Sequence, residues 1–183
     1  MIRIALALCL WLTVSADCYA DKSWNTSFME FCLAWPKDCA PPKDKRRKVI
    51  WNNKTWGQML EVNRAVNREI TYMSDKVHYG YNELWTYPVD GFGDCEDIAL
   101  EKRRRLIALG FPPRALQLRL VRLHKDDVDL HLYLVVQTDI GPQALDTNRG
   151  RPTALRHRKD YEEIAIQDPD NPANFKITEK SRK

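Results

Sequence analysis

A lone cysteine among three carboxylates, in the run Gly93-Asp94-Cys95-Glu96-Asp97, is the stretch of this 183-residue chain best suited to chemistry. Asp94 stands where a helix N-cap belongs and Asp97 at the third helical position, so the pair reads as a capping-box variant with Cys95 in the first turn. Backbone N–H groups at a helix start carry partial positive charge and favour the thiolate, the form of cysteine that attacks carbonyl carbon. Three carboxylates nearby oppose that ionisation unless something neutralises them. The plainer alternative for the same five residues is a buried structural cysteine beside an ordinary cap.

A base and an orienting acid stand further along. His131 opens a predicted strand and Asp146 closes the next one, with Gly141-Pro142 in the turn between. They are 15 residues apart, and in an antiparallel hairpin with an even-membered loop an odd separation puts both side chains on one face, opposed or diagonal. If the Cys95 helix packs on that face, a thiol, an imidazole to take its proton and a carboxylate to orient the imidazole come together. Taken singly, His131 reads as a strand-end histidine and Asp146 as a turn residue. His78, His124 and His157 lie in loop or polar contexts with no comparable partner.

These residues need elements to hold them. Thr55 with Gln58 predicts a capping box for a helix running to about Met73, whose face Met59, Val62, Val66 and Ile70 belongs to a core. Residues 79–92, with Tyr81, Trp85, Tyr87, Pro88 and Phe92, read as an irregular loop leading into the cysteine. The helix from Cys95 buries Ile98, Ala99, Leu106 and Leu109, exposes Lys102 to Arg104, and stops at Gly110 before Pro112-Pro113. Strands are predicted at Ala115 to Leu123, Asp129 to Gln137 and Gln143 to Asp146; sequential and closely spaced, they pair antiparallel.

Arg3, the apolar run from Ile4 to Ala16 and the small residues after it make a secretory signal peptide, with cleavage sites after Ala16 or, better placed, Ala20. The run is short of the ~20 apolar residues that cross a bilayer, so an uncleaved anchor is the weaker alternative. Export gives the five cysteines a meaning. Cys9 and Cys18 leave with the signal, Cys32 and Cys39 are close enough to pair around Trp35-Pro36 in an oxidising compartment, and Cys95 is left with a free thiol. A redox-active dithiol would prefer CxxC spacing. The expected organisation is a signal peptide over 1–20, a disulfide-clipped segment with a basic loop over 21–54, a core over 55–167, and a polar tail over 168–183 that is mobile beyond Gln167. A net charge of +4, with Lys and Arg scattered rather than interleaved with aromatics, argues against nucleic acid; the run from Lys43 to Lys48 reads as a solvated loop.

The order Cys, His, Asp and the words around it resemble the bacterial transglutaminase-like cysteine proteinases, among them the periplasmic LapG-type adhesin proteases. The likeness runs from about Phe31 to Asp146, through Cys32 and Cys39, the helix with Asn63 and Asn67, the lead-in Leu84-Trp85-Thr86-Tyr87-Pro88 and the block GDCEDIALEKRRRLIALGFP. It departs at Ile98, where the family usually has an aromatic residue, at Leu132-Tyr133 after the histidine, and at Thr147, which stands for an asparagine. The resemblance implies an α+β fold of the papain-like, transglutaminase-like type, with helices packed on an antiparallel sheet. It further implies Cys95 as nucleophile, His131 as base and Asp146 as orienting acid, with Asp94, Glu96 and Asp97 at positions that bind calcium. Three carboxylates over four residues make a plausible partial calcium site, which also answers the charge conflict around the thiol. The implied activity is a periplasmic, calcium-dependent endopeptidase that cuts the N-terminal region of a large surface adhesin under an inner-membrane cyclic-di-GMP receptor, and so controls attachment and biofilm. Rival readings are acyl transfer to an amine by the same triad (a transglutaminase or amidase), a non-catalytic calcium-dependent periplasmic binding module, and a thiol oxidoreductase.

Overall fold

The computed structural model describes residues 23–122, 130–159 and 161–178; the predicted signal segment over 1–20, with Cys9 and Cys18, and His124 lie outside them. Ser23 accepts a hydrogen bond from the Thr26 amide and starts α1 (Trp24–Ala34), and Pro36 in its first turn starts the short α2 (Pro36–Cys39). A disulfide joins Cys32 to Cys39, with Cα atoms 5.5 Å apart, so the corner at Trp35 is closed covalently. Closing so short a loop contributes on the order of 2–3 kcal/mol in the chain-entropy model. Replacing both cysteines by alanine is therefore expected to lower the melting temperature by roughly 4–12 °C while Cys95 labels with iodoacetamide as before. Non-reducing peptide mapping that finds Cys95 bonded to either partner would refute the pairing.

The stripe Met59, Val62, Val66 and Ile70 is buried, but its helix starts earlier than the sequence suggests. Asn52 is the cap of α3 (Asn53–Glu69): its Oδ1 accepts from the Thr55 amide at 2.9 Å, and its own amide donates to Thr55 Oγ1 at 3.1 Å. Thr55 thus closes the box rather than opening one with Gln58, because Asn52 already offers the better acceptor. The helix stops short of Met73. Thr71 and Tyr72 leave it to form β1 (Thr71–Tyr72), paired in parallel with β2 (Phe92–Gly93). Between them lies α4 (Asp75–His78).

The expected strands form as β3 (Leu116–Arg122), β4 (Leu130–Val136) and β5 (Gln143–Leu145), antiparallel in sequence order. Three more complete the sheet: β6 (Thr153–Ala154), β7 (Glu162–Gln167) and β8 (Phe175–Ile177), in the order β6-β5-β4-β3-β7-β8. The tail beyond Gln167 is thus not simply mobile, since β8 pairs with β7 and Phe175 packs edge-on against Phe28 of α1 at 5.0 Å. Phe28 also meets Trp85 edge-on at 4.8 Å, and Phe31 meets Tyr87 at 5.6 Å, so α1 and β8 grip the loop that leads to Cys95. Each such ring pair is worth roughly 0.5–1.5 kcal/mol beyond the area it buries.

The last helix, α5 (Cys95–Ala108), lies with β3 and β4 on one side and α3 on another. Gly110, at φ +87°, ends it: the Phe111 amide returns to the Leu106 carbonyl at 3.1 Å, a left-handed cap that suits glycine. Being covered on two sides corrects the expected exposure. Lys102 and Arg103 are buried, only Arg104 of the three faces solvent, and Leu109, past the helix end, is 48 % exposed. The sheet also has two apolar faces. Leu118, Leu120, Leu132, Leu134 and Val136 pack with Ile98, Ala99 and Leu106 of α5, while Val121, Tyr133, Val135 and Ala144 make a smaller cluster with Tyr161 on the other side.

Candidate active site

Cys95 is the first residue of α5 and is half-buried. Asp94 occupies the N-cap position, yet its side chain caps nothing: Oδ2 accepts from the Asp75 amide at 3.3 Å, and Asp97 Oδ1 accepts from the Thr86 amide at 2.9 Å. The expected capping box is therefore absent. Both carboxylates turn away from the helix and hold the preceding loop, leaving the first amides of α5 without the side-chain acceptor that a box would supply. Gly93 permits this turn, because a Cβ there would lie 2.8 Å from Asp97 Cβ and 2.9 Å from its Oδ2.

Asp75, whose only local signal is a position at the start of a one-turn helix, joins Asp94 and Asp97; one oxygen from each lies within 4.8 Å of the others. The Leu84 amide donates to Asp75 Oδ2, so each aspartate spends one oxygen on a backbone amide. The remaining oxygens, Asp75 Oδ1, Asp94 Oδ1 and Asp97 Oδ2, are buried with no hydrogen-bond partner among the described residues. Burial, with the Asp94 charge beside it, pushes the Asp75 carboxyl up to about 7, and burial pushes Asp97 up to about 8 despite the Thr86 amide. Buried acceptors that lack a donor are costly, and a hard cation that takes oxygen ligands satisfies all three. The donor set therefore fits calcium. Glu96 stands beside Asp94 on the sulfur side of the cluster, with one oxygen of each carboxylate and Cys95 Sγ all within 4.8 Å of one another. Its Oε2 accepts a hydrogen bond from Cys95 Sγ at 3.1 Å, and burial together with the charges of Asp94 and Glu83 pushes its carboxyl far up.

His131 and Asp146 meet as the strand parity predicts, Nε2 to Oδ1 at 2.9 Å. The face they share is not the one that carries α5: His131 stands with Tyr133 and Tyr161, whose rings lie 6.3 and 5.7 Å from its own. The sulfur comes to the same strand position from the other side, because the Leu132 amide, next in sequence to His131, bears on Cys95 Sγ and lowers the thiol's pKa against the stronger upward push of burial, Glu96 and Asp94. The net direction for Cys95 is up.

Asp146 is fully buried and held on every side. Oδ1 also accepts from the Asn148 amide at 3.2 Å, and Oδ2 accepts from Arg158 at 2.9 Å and the Tyr161 hydroxyl at 2.8 Å. Burial alone would raise its pKa, but the bonds from His131, Arg158 and Tyr161 outweigh it and hold the carboxyl far below the usual carboxylate range. An ionised Asp146 can only accept, so Nε2 of His131 carries the ring proton and Nδ1 is the nitrogen left to act as base. From α3, Asn67 Nδ2 donates to the Asp146 carbonyl at 3.0 Å and Asn63 Nδ2 to the Arg149 carbonyl at 2.7 Å, which fixes the turn behind the acid. Arg158 and Tyr161, 12 and 15 residues past the acid, lie in a stretch with no helix or strand pattern to mark them.

A family model described as bacterial transglutaminase-like cysteine proteinase matches residues 19–183. No curated protein matches the sequence. Among solved structures, calcium-bound LapG of Legionella pneumophila aligns at 25 % identity with a TM-score of 0.51, over 60 % of this chain and 62 % of that one. The EGTA-treated form of LapG aligns at 20 % identity and TM-score 0.57, over 88 % and 89 %, and a further LapG structure at 22 % and 0.52, over 80 % and 85 %; both show the likeness of fold.

Proposed function

The chain belongs to the bacterial transglutaminase-like cysteine proteinases, and on that premise we propose that it is an exported, calcium-dependent cysteine endopeptidase acting through Cys95, His131 and Asp146. The observation that carries the proposal is the pairing of His131 Nε2 with the ionised Asp146, which leaves Nδ1 as a base at the strand position where the Leu132 amide bears on the Cys95 sulfur. His131 takes the thiol proton, the sulfur bonds to the peptide carbonyl carbon, and the proton passes to the leaving amine as the C–N bond breaks. Water then attacks the thioester, giving its proton to the same nitrogen and restoring the thiol. Asp146 keeps the ring oriented and stabilises the imidazolium. Calcium, when held by Asp75, Asp94 and Asp97, supplies positive charge that offsets the carboxylates around the sulfur and braces the start of α5. By resemblance, the substrate is the N-terminal region of a large surface adhesin, the compartment the periplasm, and the controlling partner an inner-membrane cyclic-di-GMP receptor.

Iodoacetamide labelling against pH tests the site. In calcium, Cys95 is expected to react with a midpoint below the free value of about 8.5, and His131→Ala to raise that midpoint. A midpoint at or above the free value, insensitive to His131→Ala, would remove the basis for the nucleophile. Incubating the calcium-loaded protein with the N-terminal region of a large repeat-rich exported protein from the same genome, with Cys95→Ser as control, tests the substrate. Mass spectrometry of the products separates a new carboxylate, from hydrolysis, from a cross-link to lysine.

A further inference from the structure

Attack by a thiolate turns the carbonyl oxygen into an anion, and here that charge develops among acids. Asp75, Asp94 and Glu96 surround the sulfur's end of α5, so the oxyanion needs neutral or positive donors placed before it forms. One is the backbone N–H of Cys95, which at the first helical position has no carbonyl within the helix to bond. A second must come from another element.

Tyr72 is so placed. It lies on β1, and its Cα partner across the parallel ladder is Gly93, two residues ahead of the nucleophile. The ladder is clamped on both sides of it, by the Thr71 amide on the Gly91 carbonyl at 2.8 Å and the Met73 amide on the Gly93 carbonyl at 3.0 Å. Its side chain is 65 % exposed. Partial burial, then the charges of Cys95, Asp94, Glu96 and Asp75, push its pKa up to about 12, so at neutral pH it is an O–H donor.

We infer that Tyr72 completes the oxyanion site: as the Cys95 S–C bond forms and the carbonyl π pair moves onto oxygen, that oxygen accepts one hydrogen bond from the Tyr72 hydroxyl and one from the Cys95 amide. No proton is transferred, and both bonds relax when the C=O is restored and the C–N pair leaves with the proton from His131. The inference rests on Cys95 being the nucleophile. It makes Tyr72 a catalytic residue, supplied by the strand paired to Gly93 beside the nucleophile.

Two reactions of the same sulfur separate this role from a structural one. p-Nitrophenyl acetate acylates a thiol through a tetrahedral oxyanion, whereas iodoacetamide alkylates it by displacement at carbon, with none. In the calcium-loaded full chain, Tyr72→Phe is expected to slow acylation on the order of 10²-fold while alkylation and the melting temperature stay unchanged. Tyr72→Ala should do the same. Unchanged acylation in Tyr72→Phe overturns the inference, and so does an equal fall in both reactions, which would place Tyr72 on the thiol itself. Wild-type protein that acylates no faster than Cys95→Ser would instead bring down the nucleophile assignment and the inference with it.

Discussion

Exchanging Asp146 for asparagine is expected to lower turnover by about 10³–10⁴-fold and to destabilise the protein at the same time. The catalytic loss follows from the tautomer. Asparagine presents an N–H₂ as well as an oxygen, so it can meet Nε2 as a donor and leave the ring proton on Nδ1, where no base remains. The loss of stability follows from Arg158, whose buried guanidinium donates to Asp146 Oδ2 at 2.9 Å and would face an uncharged oxygen. Breaking a buried pair from one side typically costs about 3–5 kcal/mol. The pH dependence has a definite sign. A carboxyl held below its unfolded value contributes stability that is complete above about pH 4 and is lost as pH falls toward the folded value, so the variant's stability should decline less steeply in acid than the wild type's. Denaturant melts between pH 2 and 7 read the second effect, and single-turnover cleavage reads the first. Cleavage within tenfold of wild type by a folded Asp146→Asn would show that the imidazole is oriented by something else.

Withdrawing calcium with EGTA is expected to lower both the melting temperature and cleavage, with both restored by readdition. A ligand at a hundred times its Kd contributes about 2.7 kcal/mol, or roughly 5–11 °C for a chain of this size. The structural basis is the trio Asp75 Oδ1, Asp94 Oδ1 and Asp97 Oδ2, buried without donors. Without metal, Asp75 and Asp97 fold more easily when protonated, so their contribution is present below about pH 4 and is lost as pH rises through about 7 and 8. Stabilisation by calcium should therefore grow from pH 6 to 9, with protons released on binding. Asp75→Asn and Asp97→Asn should each remove the response to calcium. Asp75→Asn is the sharper test, because Asp75 lies 19 residues from Asp94 and no local capping role at α5 involves it. Equal melting temperatures and full cleavage in excess EGTA and in calcium would leave the three aspartates as loop anchors alone.

How much of this was legible in the chain depends on the range of the interaction. A helix starting at Cys95, three sequential antiparallel strands, the Cys32–Cys39 closure and the His131–Asp146 pairing all follow from periodicity, short spacing or strand parity, which neighbouring residues carry between them. Caps were less secure, since Asn52, Asp94 and Asp97 each had to choose among nearby amides, and that choice depends on how the adjoining loop runs. What the tertiary structure alone decided lies across longer gaps. It brought Asp75 to Asp94 and Asp97, set Arg158 and Tyr161 on Asp146, buried Lys102 on the side of Asp146 and Arg103 on the side of Tyr87 and Asp38, and drew Phe175 of the tail onto α1. It also put α5 on the sheet face away from the His131 ring, so that thiol and imidazole approach one strand position from two sides. Local pattern sets which way a side chain points along its own element, whereas which charges share a buried space is set by how elements pack, and packing is the sum of many weak contacts that no short stretch of sequence contains.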